Sequence, residues 1–147
     1  MKNYSQTITL NTTADKVFSA LTNDIPLWWT EIFEGGASNQ GDNFTIRFGD
    51  HIFKTMKVQE LSADEKVVWL VEDSLIDIPG LSKQKEWIRT TIIWEILTKE
   101  HSTELKLTHI GLSPEVECYE ICSGGWQQFT GSLKLFLETG KGAPYHR

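Results

Sequence analysis

A single long helical pattern closes the sequence and constrains what the preceding residues can form. Between Pro114 and Gly140 apolar side chains recur at a helical period, with Ser113 as the expected N-cap and Gly140 as the residue that ends the helix. The positions on this face are Tyr119, Cys122, Trp126, Phe129, Leu133, Phe136 and Leu137. Because one apolar face must be buried against another element, we expect the rest of the chain to supply a matching apolar surface.

Most of the remaining sequence alternates between apolar and polar residues in short runs separated by turn residues, which is typical of strands. The predicted strands cover residues 4–10, 44–48, 52–61, 67–71, 87–97 and 103–110. Two short helices are predicted after the first strand, one with Thr12 and Asp15 as a capping box and one from Ile25 to Thr30. Successive hairpins favour an antiparallel meander. We therefore expect an α+β fold, with one domain over residues 1–147 in which a curved antiparallel sheet wraps around the long C-terminal helix.

Two adjacent glycines, Gly124 and Gly125, interrupt the helical pattern near its middle. Each glycine destabilises a helix by about 1 kcal/mol relative to alanine. A pair of them therefore calls for a structural reason. We predict a kink at this point or a close approach of the helix to the sheet.

The composition excludes several classes of partner. The net charge is −6 with a pI near 5.2, and no run of Lys and Arg suited to nucleic acid occurs. No apolar run approaches the ~20 residues that span a bilayer, so membrane insertion is not expected. The N-terminal residues lack the apolar core of a secretion signal, which predicts a cytoplasmic location. Either a monomer or a homodimer is compatible with the sequence.

Three stretches of the sequence resemble a known group of proteins. They are Ala14–Thr22 together with Trp28-Trp29, then Glu86–Ile88 with Ile92–Ile96, and finally Thr103–Leu112 continuing to Gly142. With the order of the predicted elements, the chain resembles the START-like (SRPBCC) superfamily over nearly its whole length. Within that superfamily it is most similar to the branch named after the activator of the heat-shock-protein-ninety ATPase.

The resemblance implies the helix-grip fold, in which the sheet wraps the last helix around a hydrophobic cavity. Members of the superfamily include small-molecule carriers, cyclases and co-chaperone domains, so the fold alone does not determine the function. We expect binding of an apolar or amphipathic small molecule, without a cofactor. Two alternatives remain: a co-chaperone-like module that stimulates a chaperone ATPase, and a cyclase- or hydrolase-like enzyme that uses the same cavity.

The candidate cavity lining consists of aromatic residues with one inward histidine. Alternation along the last strand places His109 on the same side as Leu105 and Leu107, where it could contact a ligand or be a hydrogen-bonded core residue. Large aromatic side chains also serve equally well as core or as pocket wall. The full set of candidates is Trp28, Trp29, Phe44, Trp69, Trp94, His109, Tyr119, Trp126, Phe129 and Leu133.

No catalytic or metal site is predicted. The two cysteines, Cys118 and Cys122, are one helical turn apart, and a structural zinc site needs four ligands. We expect two free thiols whose pKa values are raised by apolar surroundings. No nucleophile or phosphate-binding motif accompanies them.

The segment from Ser74 to Ser82 is expected to form a long loop rich in aliphatic residues. It could be a lid over the open end of the cavity or a small cluster packed on the sheet edge.

Overall fold

The computed structural model describes residues 3–146 and shows that α+β architecture. The strands are β1 (Tyr4–Leu10), β2 (Phe33–Gly35), β3 (Asn43–Arg47), β4 (Ile52–Ser62), β5 (Lys66–Ile76), β6 (Thr91–Thr98) and β7 (Thr103–Ile110). The helices are α1 (Ala14–Thr22), α2 (Ile25–Trp28) and α3 (Tyr119–Thr139). The seven strands form one antiparallel sheet in the order β1-β7-β6-β5-β4-β3-β2, curved around α3. The predicted helix-grip fold is confirmed.

Alternation fixes which side of the sheet faces α3. On β7 the residues Leu105, Leu107 and His109 are buried, while their neighbours are intermediate or exposed. On β6 the buried residues Ile92, Trp94 and Ile96 take the same side. The helix covers this apolar face with Trp126, Phe129 and Leu133, so the main core lies between sheet and helix.

Several predicted boundaries were wrong. Helix α3 begins at Tyr119 and not at Pro114, because the backbone N–H of Val116 bonds to the carbonyl of Ser113 in a turn before the helix. Helix α1 has Thr13 as its N-cap in place of Thr12, and no side-chain hydrogen bond caps it. The predicted fifth strand loses its first residues to a turn, in which Arg89 has a positive φ of 73°.

The predicted loop at residues 74–82 is partly strand. Strand β5 extends to Ile76, which pairs with Ile52 of β4. Ser74 and Ile76 are buried, and Leu81 joins the core beyond the end of the strand. Strand β2 was not predicted, because three residues are too few to show an alternation.

The six tryptophans form one connected cluster inside the fold. Trp29 stacks on Trp28 and Trp69, Trp126 stacks on Trp87, and Trp94 meets three of the others edge to face. The indole N–H groups of Trp69 and Trp94 are buried without a hydrogen-bond partner in residues 3–146.

No helix within residues 3–146 is both long enough and apolar enough to cross a membrane.

Candidate functional site

A pocket of about 510 Å³ opens between the first half of α3 and one end of the sheet. This volume is within the range of about 300–1,000 Å³ usual for small-molecule sites. The sheet side is built from the β3–β4 turn, the start of β4, the end of β5 and the turn before β6. The lining consists of Trp29, Phe48, Ile52, Lys54, Ile76, Trp87, Glu120, Ile121, Cys122, Gly124, Gly125, Trp126, Gln128, Phe129 and Tyr145.

Six aromatic residues form a large part of the wall. Trp126 on α3 lies between Trp29 and Trp87, with ring centroids 5.2 and 5.8 Å away. Phe48 packs against Phe129 at 5.4 Å and against Tyr145 at 5.6 Å. Backbone hydrogen bonds between Tyr145 and residues 29 and 31 fix the C-terminal segment beside these rings. The polar or exposed side chains of Glu120, Ile121 and Gln128 form the rim.

Gly124 and Gly125 form a stretch of α3 without side chains in the pocket wall. Outside the adjoining backbone of α3, a Cβ atom at either position would meet no atom within 4 Å, so the predicted close approach to the sheet is wrong. Gly125 is three residues after Cys122 and four before Phe129, which places it on the inward face of the helix. The missing side chains therefore leave open space that forms part of the pocket.

Lys54 is the charged group inside this wall. It is only 8% exposed, and it occupies an inward position of β4 between Ile52 and Met56. Its Nζ lies 4.4 Å from the ring centre of Trp87 and 5.1 Å from that of Phe48, which are favourable cation–π distances. Burial lowers the pKa of Lys54 to about 8, although negative charge on the hydrogen-bonded pair of Cys122 and Cys118 opposes this shift. In residues 3–146 no carboxylate lies within ion-pair distance of Nζ.

His109 is fully buried behind the pocket, and both of its ring nitrogens are occupied. The Trp126 indole N–H donates to Nδ1 at 3.1 Å. The Thr90 hydroxyl donates to the Trp87 carbonyl, so it accepts a hydrogen bond from His109 Nε2 at 2.8 Å. These bonds select the neutral tautomer protonated at Nε2. Burial, with a smaller effect from the Lys54 charge, lowers the pKa of His109 to about 3.

The two cysteines are free and buried, with different environments. Cys122 lines the pocket, and its Sγ accepts a hydrogen bond from Trp87 Nε1 at 3.1 Å. A hydrogen bond from Cys118 and the charge of Lys54 also stabilise a thiolate, so the pKa of Cys122 is lowered. The pKa of Cys118 is raised, chiefly because its thiol donates to Cys122. The prediction of two raised pKa values is thus wrong for Cys122. Buried apolar surroundings do disfavour the thiolate, but donors and positive charge outweigh them there.

The predicted cavity residues divide into three groups around this pocket. Trp29, Trp126 and Phe129 line it directly. His109 supports the wall through Trp126. The others contribute to the sheet–helix core away from the lining, with Tyr119 only partly buried; they are Trp28, Phe44, Trp69, Trp94, Tyr119 and Leu133.

Sequence reasoning missed Lys54, Trp87 and Cys122 as pocket residues. The signal for Lys54 was present, because it takes an apolar position in the alternation of Ile52, Met56 and Val58. The alternation pattern predicts a strand at Trp87, but this residue lies in a turn before β6 and contacts α3 through Cys122.

Two other kinds of site were considered, a metal site and a surface depression. Among residues 3–146 no group of three or more His, Cys, Asp and Glu side chains is arranged to hold a metal ion. A second depression of about 370 Å³ lies on the outer face of the sheet and is lined mainly by charged and polar residues such as Glu60, Lys66 and Glu104.

A family model described as "Activator of Hsp90 ATPase homolog 1-like protein" matches residues 11–138 of the 147-residue chain. The chain belongs to this family. The match to the activator-like family spans α1 through nearly the whole of α3, so it includes every strand except β1. No curated protein matches the sequence significantly.

Solved structures agree with the assignment to the activator-like family. The Aha1 dimer from Colwellia psychrerythraea is 28% identical, with a TM-score of 0.78, over 97% of this chain and 100% of that one. MLL2253 from Mesorhizobium loti is 16% identical, with a TM-score of 0.75, over 92% and 96% of the two chains. DynU16, a putative protein in the dynemicin biosynthetic locus, is 18% identical with a TM-score of 0.73, and the alignment covers 97% of this chain but 49% of DynU16. The last two support the fold alone.

Proposed function

We propose that this protein binds an apolar or amphipathic small molecule in the pocket between α3 and the sheet. The observation that carries the proposal is the aromatic cavity of about 510 Å³, whose helical wall is left bare at Gly124 and Gly125. A helix without function at this point would be more stable with alanine there, since each glycine is unfavourable by about 1 kcal/mol relative to alanine. Retaining two glycines keeps volume open for a ligand.

Filling the pocket from the helix tests this function. N-phenyl-1-naphthylamine is an uncharged apolar probe that fluoresces strongly when it leaves water. We expect it to bind the wild-type protein at one site per chain, and we expect Gly125→Leu to abolish binding because the new side chain occupies the cavity.

Gly131→Leu is the matched control. Gly131 is in the same helix, is exposed and also has no atom within 4 Å of an added Cβ, but it does not line the pocket. Both leucines should raise helix stability by a similar amount. Equal probe binding by the two variants would place the binding elsewhere. If wild type binds neither this probe nor an anionic probe with the same ring system, the proposal is wrong.

A second candidate function is stimulation of a chaperone ATPase. It is favoured by the family description and by the similarity to the Colwellia psychrerythraea Aha1 dimer. If it is correct, adding the protein to an Hsp90-type chaperone from the same organism will raise the rate of ATP hydrolysis in a saturable way. A homodimer belongs to the same proposal and is tested by analytical ultracentrifugation. An unchanged hydrolysis rate would exclude the co-chaperone function.

A further inference from the structure

We propose that the ligand of this pocket is an apolar organic acid, whose ionised group pairs with the ammonium group of Lys54. The inference deepens the proposed function and rests on it, because the pocket must first accept a small molecule.

The position of Lys54 in the strand is the first step. The other inward positions of β4 are filled by Ile52, which is partly buried, and by Met56 and Val58, which are completely buried. Lysine is among the residues least often buried, and burying its charge without a partner is unfavourable. A lysine at an inward position of β4 therefore requires a favourable interaction of its ammonium group, which an aliphatic residue could not make.

The second step is the lack of a counter-ion. The ammonium group carries three N–H donors, and its neighbours in residues 3–146 include two aromatic faces but no carboxylate within ion-pair distance. Negative charge at Cys122 acts on Lys54 from the same wall, but that sulfur already accepts the Trp87 N–H. His109 is neutral in its hydrogen-bonded state and adds none. Lys54 is thus buried in the pocket lining with no carboxylate partner among residues 3–146.

The third step concerns the rest of the ligand. The wall around Lys54 consists of aromatic and aliphatic groups, which favour an apolar body. Glu120 is the acidic residue of the lining, and it lies on the exposed rim. An acid would therefore place its charged group deep beside Lys54 and its apolar body against the tryptophans. A cationic ligand would be repelled, and a neutral ligand would leave the ammonium group unpaired.

Two probes with one ring system test the inference. 8-Anilinonaphthalene-1-sulfonate carries a sulfonate group, and N-phenyl-1-naphthylamine is the same molecule without it. We expect wild type to bind the sulfonate at least about tenfold more tightly than the uncharged probe, as a single desolvated charge pair can provide. Lys54→Met retains the aliphatic stem without the charge. It should weaken sulfonate binding by about tenfold or more and change binding of the uncharged probe by less than about threefold.

Lys57→Met is the control for net charge. Lys57 is on the same strand but is exposed on the outer face, so both probes should bind this variant as they bind wild type. Equal affinity of wild type for the two probes would overturn the inference and leave the proposed function standing. So would an equal loss of sulfonate binding in Lys57→Met, since the effect would then come from overall charge. Failure of both probes to bind wild type would overturn the proposed function and the inference together.

Discussion

Lys54 and His109 show how two titratable groups behave differently on the same inner face of one sheet. His109 is neutral and has two hydrogen-bond partners, Trp126 and Thr90, so its burial is compensated. Lys54 has aromatic neighbours but no carboxylate partner within the described residues 3–146, so its burial is only partly compensated. Alternation along a strand predicts that each points inward, and this is how His109 was identified. It cannot predict their partners, because Trp126 and Trp87 reach them from distant parts of the chain.

Removing the Lys54 charge should stabilise the protein. Burial lowers the Lys54 pKa from the ordinary 10.5 to about 8, and each unit corresponds to about 1.4 kcal/mol. The lowered pKa means that the buried charge destabilises the folded state, and Lys54→Met removes this destabilisation. The substitution also removes the cation–π attraction, which offsets part of the increase in stability. The free energy of unfolding at pH 7 should therefore rise by about 1–2 kcal/mol. Urea denaturation measures this change, and Lys57→Met should be near neutral. A clear loss of stability would mean that the ammonium group has a partner inside the protein.

The Lys54 pKa also predicts a pH dependence in alkaline solution. Between pH 8 and 10.5 the folded state binds fewer protons than the unfolded state at this residue. The contribution of Lys54 to the free energy of unfolding therefore increases as the pH rises through this window. The difference in stability between Lys54→Met and wild type should shrink from pH 8 to pH 10.5. A difference that stays constant would show that the Lys54 pKa is not lowered.

His109 predicts a loss of stability in mild acid. Its pKa falls from 6.5 to about 3 on folding, so between these values the unfolded state binds more protons. The free energy of unfolding should decrease by about 2 kcal/mol from pH 7 to pH 5 because of this residue alone. His109→Gln should remove this part of the pH dependence, while His101→Gln, at an exposed position, should retain it. If the free energy of unfolding depends on pH equally in both variants, the loss of stability in acid comes from other groups.

At the scale of elements, local signals predicted the sheet better than the ends of the helices. The alternation in β1 and β7 gave both strands with their observed bounds, and Gly140, with a φ of 86°, ends α3 as expected. The start of α3 was wrong because Ser113 and Pro114 suit a turn as well as a first helical turn. The pocket itself could not be located, since it depends on where a turn containing Trp87 meets a bare stretch of α3.

The packing of α3 on the sheet can be tested at Phe129. This side chain is buried and packs against Phe48, so Phe129→Ala should lower the free energy of unfolding by about 3 kcal/mol. Gln128→Ala changes the neighbouring exposed residue and should have little effect. Chemical denaturation of the two variants measures the difference. A near-neutral result at Phe129 would mean that this face of α3 does not contribute to the core.

At the scale of the whole molecule, the sheet connects the two ends of the chain. Strand β1 pairs along its full length with β7, and β7 continues the sheet into β6. Helix α3, the last element, packs back onto strands from both halves of the chain. The β1–β7 edge of the sheet and the core beneath α3 therefore both need residues from the two ends of the chain, which favours one cooperative unit.

A single domain should unfold in one transition. We expect the calorimetric enthalpy of thermal unfolding to equal the van't Hoff enthalpy, as for other small domains that unfold in two states. Secondary structure followed by circular dichroism should be lost at the same midpoint. Separate midpoints, or a calorimetric enthalpy well above the van't Hoff value, would contradict the prediction of one domain.

The connected cluster of six tryptophans has an optical consequence. Neighbouring indoles in it are 5.2 to 6.1 Å apart, close enough for their transition dipoles to couple and for excitation to migrate from ring to ring. The protein should therefore emit as one chromophore system with low fluorescence anisotropy. Trp29, Trp87 and Trp126 face the pocket. A quencher bound there would therefore also quench the fluorescence of buried tryptophans that it does not contact. The intrinsic tryptophan fluorescence of the protein should therefore report on occupation of the pocket without any added label.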